Sequence, residues 1–196
     1  MTNNDPTSSF YDENATIYAA RERNLPQSRL DEFLAALPAG ASILELGCGA
    51  GQDAVYLISR GFDVTPTDGS TELAKQAEAL IGRPVRIMRF ETLDAGAAFD
   101  GIWAEASLLH VPRSNLPNVF DRIRRALKDG GIFHGSFKAG DAEGHDTLGR
   151  YYNYPSAEWL MALLSEGGWK DIAMTEADGG GFDGKPTKWL YVSAKK

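Results

Sequence analysis

The stretch ILELGCGAGQD, Ile43 to Asp53, places Gly47, Gly49 and Gly51 at alternate positions directly behind a short apolar run that carries one acid, Glu45. Glycines in such a turn let the backbone approach a bound molecule with no side chain in the way. The flanking residues show which elements the turn joins. "SILEL" (42–46) reads as a strand, and Ala54, Val55, Leu57 and Ile58 form the apolar face of a helix that ends at Gly61. "FDVTPTD" (62–68) reads as a second strand, so the order is strand, glycine loop, helix, strand.

The same alternation extends outward. Upstream, Leu30, Phe33, Leu34 and Leu37 fall at helical spacing behind Ser28 as N-cap, and Pro38 stops that helix. Downstream, Ser70 caps a helix through Leu73, Ala77 and Leu80, "PVRIMRF" (84–90) is a strand and "FDGIWAEA" (99–106) another. Leu116, Val119, Phe120, Ile123 and Leu127 mark an amphipathic helix, followed by the buried strand "IFHGSFK" (132–138). Trp159, Leu160, Leu163 and Leu164 make a further helix ended by Gly167 and Gly168. The last two strands, around "WKDIAMTEA" and "TKWLYVSAK", are separated by "DGGGFDGKP", too short for a crossover helix, and should pair antiparallel. The expected fold is an α/β, open, doubly wound sheet with ligands at the C-terminal ends of its strands.

At 196 residues with 43% apolar and 24% charged side chains, residues 1–196 are expected to form a single domain. The net charge of −7 gives no general basic field, which argues against a nucleic-acid partner. Cys48 is the only cysteine, so no internal disulfide is available. No apolar run approaches the roughly 18 residues of a membrane span, and the polar N-terminus lacks the regions of a secretory signal. A cytoplasmic location without membrane association is expected. No His, Cys or carboxylate cluster has metal-ligand spacing, so no metal is expected.

A phosphate loop of the type G-x-x-x-x-G-K-S/T needs a lysine and a hydroxyl that "GCGAGQD" lacks. The dinucleotide pattern G-x-G-x-x-G/A fits Gly47 and Gly49, but Gln52 stands at its last position, where a side chain obstructs helix-to-strand packing. Asp68, about 20 residues beyond the loop, suits ribose hydroxyls in either a dinucleotide or another adenosine compound.

Glu45, Gly47, Gly49 and Gly51 resemble, position for position, the E/D-x-G-x-G-x-G loop of class I S-adenosylmethionine-dependent methyltransferases, and the resemblance runs from about Phe10 to the C-terminus. It implies seven strands, mostly parallel, with the last antiparallel. It also implies S-adenosylmethionine as cofactor and S-adenosylhomocysteine as product. Cys48 and Gly69 join the glycines and Asp68 at the cofactor, and Glu45 attracts its ammonium group. "MRFETLDA" departs from the family's "GD" after the third strand; there Phe90 either stacks on adenine or is core, and Glu91 or backbone groups meet its amino group. "FYDENATIYAARE" resembles the segment such enzymes fold over the cofactor, making residues 1–25 leader and cover. Tyr11, Tyr18 and Arg21 then close that end, Arg21 on the cofactor carboxylate, or else serve as amphipathic packing.

His110, in the loop after the fourth strand, is the candidate base or acceptor contact, the alternative being a structural histidine fixing the loop against Pro112. His134 reads as a satisfied core histidine, Trp103 as core, and His145 as part of a solvated loop. Residues 138–154 are read as the cover of the acceptor site, where Arg150, Tyr151, Tyr152 and Tyr154 either recognise an anionic or aromatic acceptor or pack ahead of the helix. "EASLLHVP" lacks the D/N/S-P-P-Y/F/W motif of nucleic-acid amino methyltransferases, and Cys48 lies in the loop rather than at a nucleophile position. A small-molecule acceptor follows. The rival readings are an NAD-dependent oxidoreductase, with a parallel C-terminal sheet, and a non-catalytic S-adenosylmethionine-binding protein.

Overall fold

The computed structural model describes residues 5–182 and 184–196; the first four residues of the expected leader lie outside the described residues. Helices α1 (Pro6–Glu13), α2 (Ala15–Ala20) and α3 (Gln27–Ala35) precede β1 (Ser42–Leu46), α4 (Gln52–Ser59), β2 (Asp63–Asp68), α5 (Thr71–Ile81), β3 (Arg86–Ile87) and β4 (Phe99–Ala104). Next come α6 (Leu116–Ala126), β5 (Leu127–Lys138), the short β6 (Gly144–His145) and β7 (Tyr151–Tyr152), α7 (Ala157–Glu166), β8 (Lys170–Gly180) and β9 (Pro186–Lys195).

Seven strands form one sheet in the order β3-β2-β1-β4-β5-β9-β8, while β6 and β7 pair with each other. Strands β1 to β5 run parallel, and β9 inserts antiparallel between β5 and β8. The chain order reverses at β1 and β4, whose C-terminal ends therefore open the crevice in which ligands of such sheets sit.

Period-two alternation sends neighbouring side chains to opposite faces. Ile43, Trp103 and Ile132 pack with Leu30, Phe33 and Leu34 of α3 and with Ala54 and Leu57 of α4. Leu44, Ile102 and Phe133 pack on the other face with Val119, Phe120 and Ile123 of α6 and Leu160 of α7. Helices thus cover both faces. Among the described residues, no helix is long and apolar enough to cross a membrane.

Three local expectations are corrected. Ser28 is not the cap of α3: Pro26 stands there, its carbonyl accepting from the Leu30 N–H, and Ser28 lies inside the helix. The strand expected over 84–90 pairs only at Arg86 and Ile87, opposite Thr67 and Asp68, because β2 ends at Asp68 and offers no further partner. The chain then turns into a 3-10 helix over Phe90–Thr92. The fourth strand stops at Ala104, and Ala106 adopts φ 52°, a left-handed conformation costing a non-glycine residue roughly 1–2 kcal/mol. The Ser136 hydroxyl fixes that turn by accepting from the Ala106 N–H at 2.8 Å.

Candidate active site

The glycine loop leaves β1 and doubles back over β2. The N–H groups of Gly47 and Cys48 both donate to the Thr67 carbonyl, at 2.9 and 2.8 Å. Gly47 has φ 74°, and a Cβ there would stand 2.5 Å from the Cβ of Ser107, so the loop needs glycine both for conformation and for space. Gly51, with φ 89°, has a different reason: a Cβ would meet Ile81 at 2.9 Å, so this glycine lets α4 lie against α5. Asp68, at the end of β2, accepts from the N–H groups of Gly49 and Ser70, each at 2.8 Å. Burial pushes its carboxyl up to about 6, against the opposing pull of those backbone donors.

A cavity of about 120 Å³ lies over this loop, between Gly47, Asp68, Phe90, Ser107 and His110. Helices α1 and α2 roof it. Thr7 Oγ1 accepts from the Tyr151 N–H at 2.9 Å, and Asp12 accepts from the Ser70 hydroxyl at 2.6 Å and the Glu72 N–H at 3.2 Å. An acid over the first turn of α5 is favoured by that helix's dipole.

The second and larger cavity, about 510 Å³, is bounded by Arg21, Glu105, Lys138, Arg150, Tyr152 and Trp189 among others. The two cavities share Tyr11, Tyr18, Ala106 and His110 in their walls. At this junction the Tyr11 hydroxyl lies 2.9 Å from His110 Nε2, and His110 Nδ1 lies 2.6 Å from the Tyr151 carbonyl. A carbonyl can only accept, so Nδ1 carries the proton and Nε2 accepts from Tyr11. Burial, then the charges of Arg150 and Lys138, push His110 down to about 4 despite the Tyr151 bond. Tyr11 is pushed well above the usual phenol range by burial.

A family model for a methyltransferase domain matches residues 43–131, the segment from the glycine loop to the start of the fifth strand's core. The chain's sequence and fold are similar to those of S-adenosylmethionine-dependent methyltransferases. An uncharacterized methyltransferase of Synechocystis is 29% identical over 121 residues, covering 61% of this chain and 56% of that protein. The chain spans about half the length of the curated relatives it matches. In fold, a S-adenosylmethionine-dependent methyltransferase of Methanosarcina mazei superposes with a TM-score of 0.76 at 18% identity, covering 89% of this chain and 99% of that one. A Burkholderia thailandensis 1,6-didemethyltoxoflavin-N1-methyltransferase does so with 0.69 at 23% identity, covering 96% and 80%.

The residues around the glycine loop fit the cofactor of that family. Glu45 Oε2 and Ser107 Oγ are buried and have no hydrogen-bond partner among the described residues, one under the glycine loop and one facing Gly47. Buried polar atoms of this kind call for a partner, and a ligand with an ammonium group and a ribose supplies donors to a carboxylate and a hydroxyl. Glu45 is pushed well above the usual carboxyl range by burial and then by the charge of Asp53, with Arg23 opposing. A cation beside it would reverse that shift.

Of the residues singled out in the sequence, Gly47, Gly49, Asp68, Gly69, Phe90, Glu91, Tyr11, Tyr18 and His110 come together around the smaller cavity. Glu45 sits beneath the loop rather than in the cavity wall, and Cys48 points away into a cluster with Ala74, Ala77 and Val85. Arg21 lines the larger cavity instead of the glycine cleft, its guanidinium 3.9 Å over the Tyr18 ring. Arg150 and Tyr152 line that cavity too, whereas Tyr151 turns its hydroxyl outward to Glu143.

A buried charge network behind the glycine loop was not anticipated from the sequence. Arg23 pairs with Asp53 at 2.6 Å, and Asp53 also accepts from the Trp103 indole at 3.0 Å. His134 stacks on Trp103 with centroids 4.1 Å apart and meets Glu105 at 3.2 Å, and Glu105 pairs with Arg29 at 2.8 Å. The one local signal was Asp53, an acid in the first turn of the helix after the loop.

Proposed function

We propose that this protein transfers the methyl group of S-adenosylmethionine to a small-molecule acceptor. The observation that carries the reading is the junction at Tyr11, Tyr18, Ala106 and His110, where a glycine-walled cleft and a separate chamber share one wall. S-adenosylmethionine supplies a sulfonium methyl that is already a strong electrophile, so the protein's task is proximity, alignment and exclusion of water.

Asp68 would accept the ribose hydroxyls, Glu45 would balance the ammonium, and Phe90, half-buried at the rim, would face the adenine ring. Tyr11 stands between the two chambers with its hydroxyl proton held on His110. His110 reads as the residue that orients Tyr11 rather than as a free base, since its Nε2 is occupied and its basicity is lowered. The roof formed by α1 and α2 keeps water from the junction.

The NAD-dependent reading expects a parallel C-terminal sheet, and β9 runs antiparallel. Calorimetric titration with S-adenosylmethionine, S-adenosylhomocysteine and NAD tests the choice. Binding of the first two without NAD is the expected result; binding of NAD alone would overturn the reading.

A further inference from the structure

The larger cavity differs in character from the rest of the chain. Against a net charge of −7, its described lining holds five cations and two acids. Arg23, Arg29 and Arg150 are matched by Asp53, Glu105 and Asp146. Arg21 has no carboxylate at ion-pair distance among the described residues: it donates to the Tyr18 hydroxyl at 2.8 Å and otherwise lies on ring faces. Arg29 adds a buried Nε with no acceptor among the described residues. Lys138, buried on β5, holds its ammonium 4.3 Å over the Tyr152 ring.

The remaining walls are aromatic. Tyr18 and Phe182 stack with centroids 5.6 Å apart and planes 20° from parallel. Trp189 lies against the backbone of β8 because Gly179 has no side chain; a Cβ there would stand 2.9 Å from the indole. Tyr152 completes the enclosure, and the volume of about 510 Å³ is that of a site for a molecule of one to three rings.

Of the lining's two acids Glu22 is exposed, and the buried bases are committed to other groups. His110 is committed to Tyr11 and Tyr151. Glu105 is raised by burial, but its bonds and charges from His134 and Arg29 outweigh that and hold it below the usual carboxylate range. An acceptor that must lose a proton in place finds little help among these groups.

From Arg21, which has no carboxylate partner among the described residues, and from the ring walls, we infer that this cavity takes a planar aromatic anion as the methyl acceptor, with Arg21 binding its negative group. The inference rests on the methyltransferase reading and names the substrate class for that site. The anionic oxygen itself attacks the sulfonium methyl, the new bond forming as the carbon–sulfur bond breaks and S-adenosylhomocysteine leaves, so no proton has to be removed in the chamber.

The test is calorimetry on the full chain, first with S-adenosylhomocysteine and then, at saturation with it, with 1-hydroxy-2-naphthoate, its neutral amide 1-hydroxy-2-naphthamide, and octanoate. Expected is binding of the naphthoate about tenfold or more tighter than the amide and the octanoate, the scale of a charge-assisted hydrogen bond. In Arg21→Gln the naphthoate should lose most of that advantage, Arg21→Lys should restore part of it, and S-adenosylhomocysteine affinity should hold. Equal affinity for naphthoate and amide, or an advantage that survives Arg21→Gln, overturns the anion site; octanoate matching naphthoate overturns its aromatic character. A loss of S-adenosylhomocysteine affinity in Arg21→Gln places Arg21 on the cofactor carboxylate and overturns its role here. Failure of S-adenosylhomocysteine to bind the unaltered protein overturns instead the methyltransferase reading itself.

Discussion

Tyr11 and His110 lie ninety-nine residues apart in sequence and 2.9 Å apart in space, and their bond stands in the wall shared by both cavities. The proton arrangement follows from the third member, the Tyr151 carbonyl, which obliges His110 to present an unprotonated Nε2 to the tyrosine. Tyr11→Phe and His110→Asn should each lower turnover by about 10- to 100-fold, the scale of a misplaced reacting group, while leaving S-adenosylhomocysteine affinity within about threefold. Because both act through one hydrogen bond, the double variant should be no worse than the poorer single one. Additive losses, or a pH-rate limb between 6 and 7 that vanishes in His110→Asn, would make His110 a base in its own right.

Asp68 carries the cofactor prediction. On the proposed reading its carboxylate would accept the ribose hydroxyls, and Asp68→Ala should weaken S-adenosylhomocysteine binding by about 1.5–3 kcal/mol. Burial already brings the free protein's Asp68 up to about 6. Protonation below that value removes an acceptor, so the dissociation constant should rise as pH falls from 7 to 5, approaching tenfold per unit at the lower end. A titration series with a flat profile would take Asp68 out of the site.

Backbone rules made half of this site readable. The spacing of Gly47, Gly49 and Gly51 and the acid ending the next strand are local features, and the fold placed them as the pattern required. The larger cavity was another matter. Lys138, Trp189 and Arg29 come from β5, β9 and α3, and only the insertion of β9 between β5 and β8 brings the first two side by side, where Lys138 and Trp189 are register partners. No local pattern encodes that order. Arg21 was legible as a functional cation but not its side of the wall, since the turn after α2 decides which chamber it faces.

Gly47 and Gly61 separate conformation from crowding. Both have positive φ, 74° and 87°, but a Cβ at Gly47 meets Ser107 at 2.5 Å whereas none is near at Gly61. Gly61→Ala should therefore cost only the left-handed penalty of about 1–2 kcal/mol. Gly47→Ala should add an overpacking cost of about 1–3 kcal/mol and abolish S-adenosylhomocysteine binding. Urea denaturation of the two variants measures the difference, and equal losses would mean that the Ser107 side of the cleft yields freely.

The acid stability of the protein should conceal two opposed slopes. Folded His110 titrates near 4 against its ordinary 6.5, so between those values the unfolded chain gains a proton that the native one refuses, and stability falls as pH drops, by up to about 3 kcal/mol. Folded Asp68 titrates near 6 against its ordinary 3.8, so over that window the native chain gains the extra proton and stability rises as pH drops, by a similar amount. Glu45, also raised by burial, acts in the same sense as Asp68. Between pH 6.5 and 4.5 the Asp68 and His110 contributions should then largely cancel in the unaltered protein, leaving the Glu45 contribution as a net gain on acidification. Relative to it, His110→Asn should gain stability on acidification and Asp68→Asn should lose it, and the two deviations should have opposite sign at every pH in the window. Deviations of the same sign would show that at least one of these side chains is solvated in the native protein rather than buried at the junction.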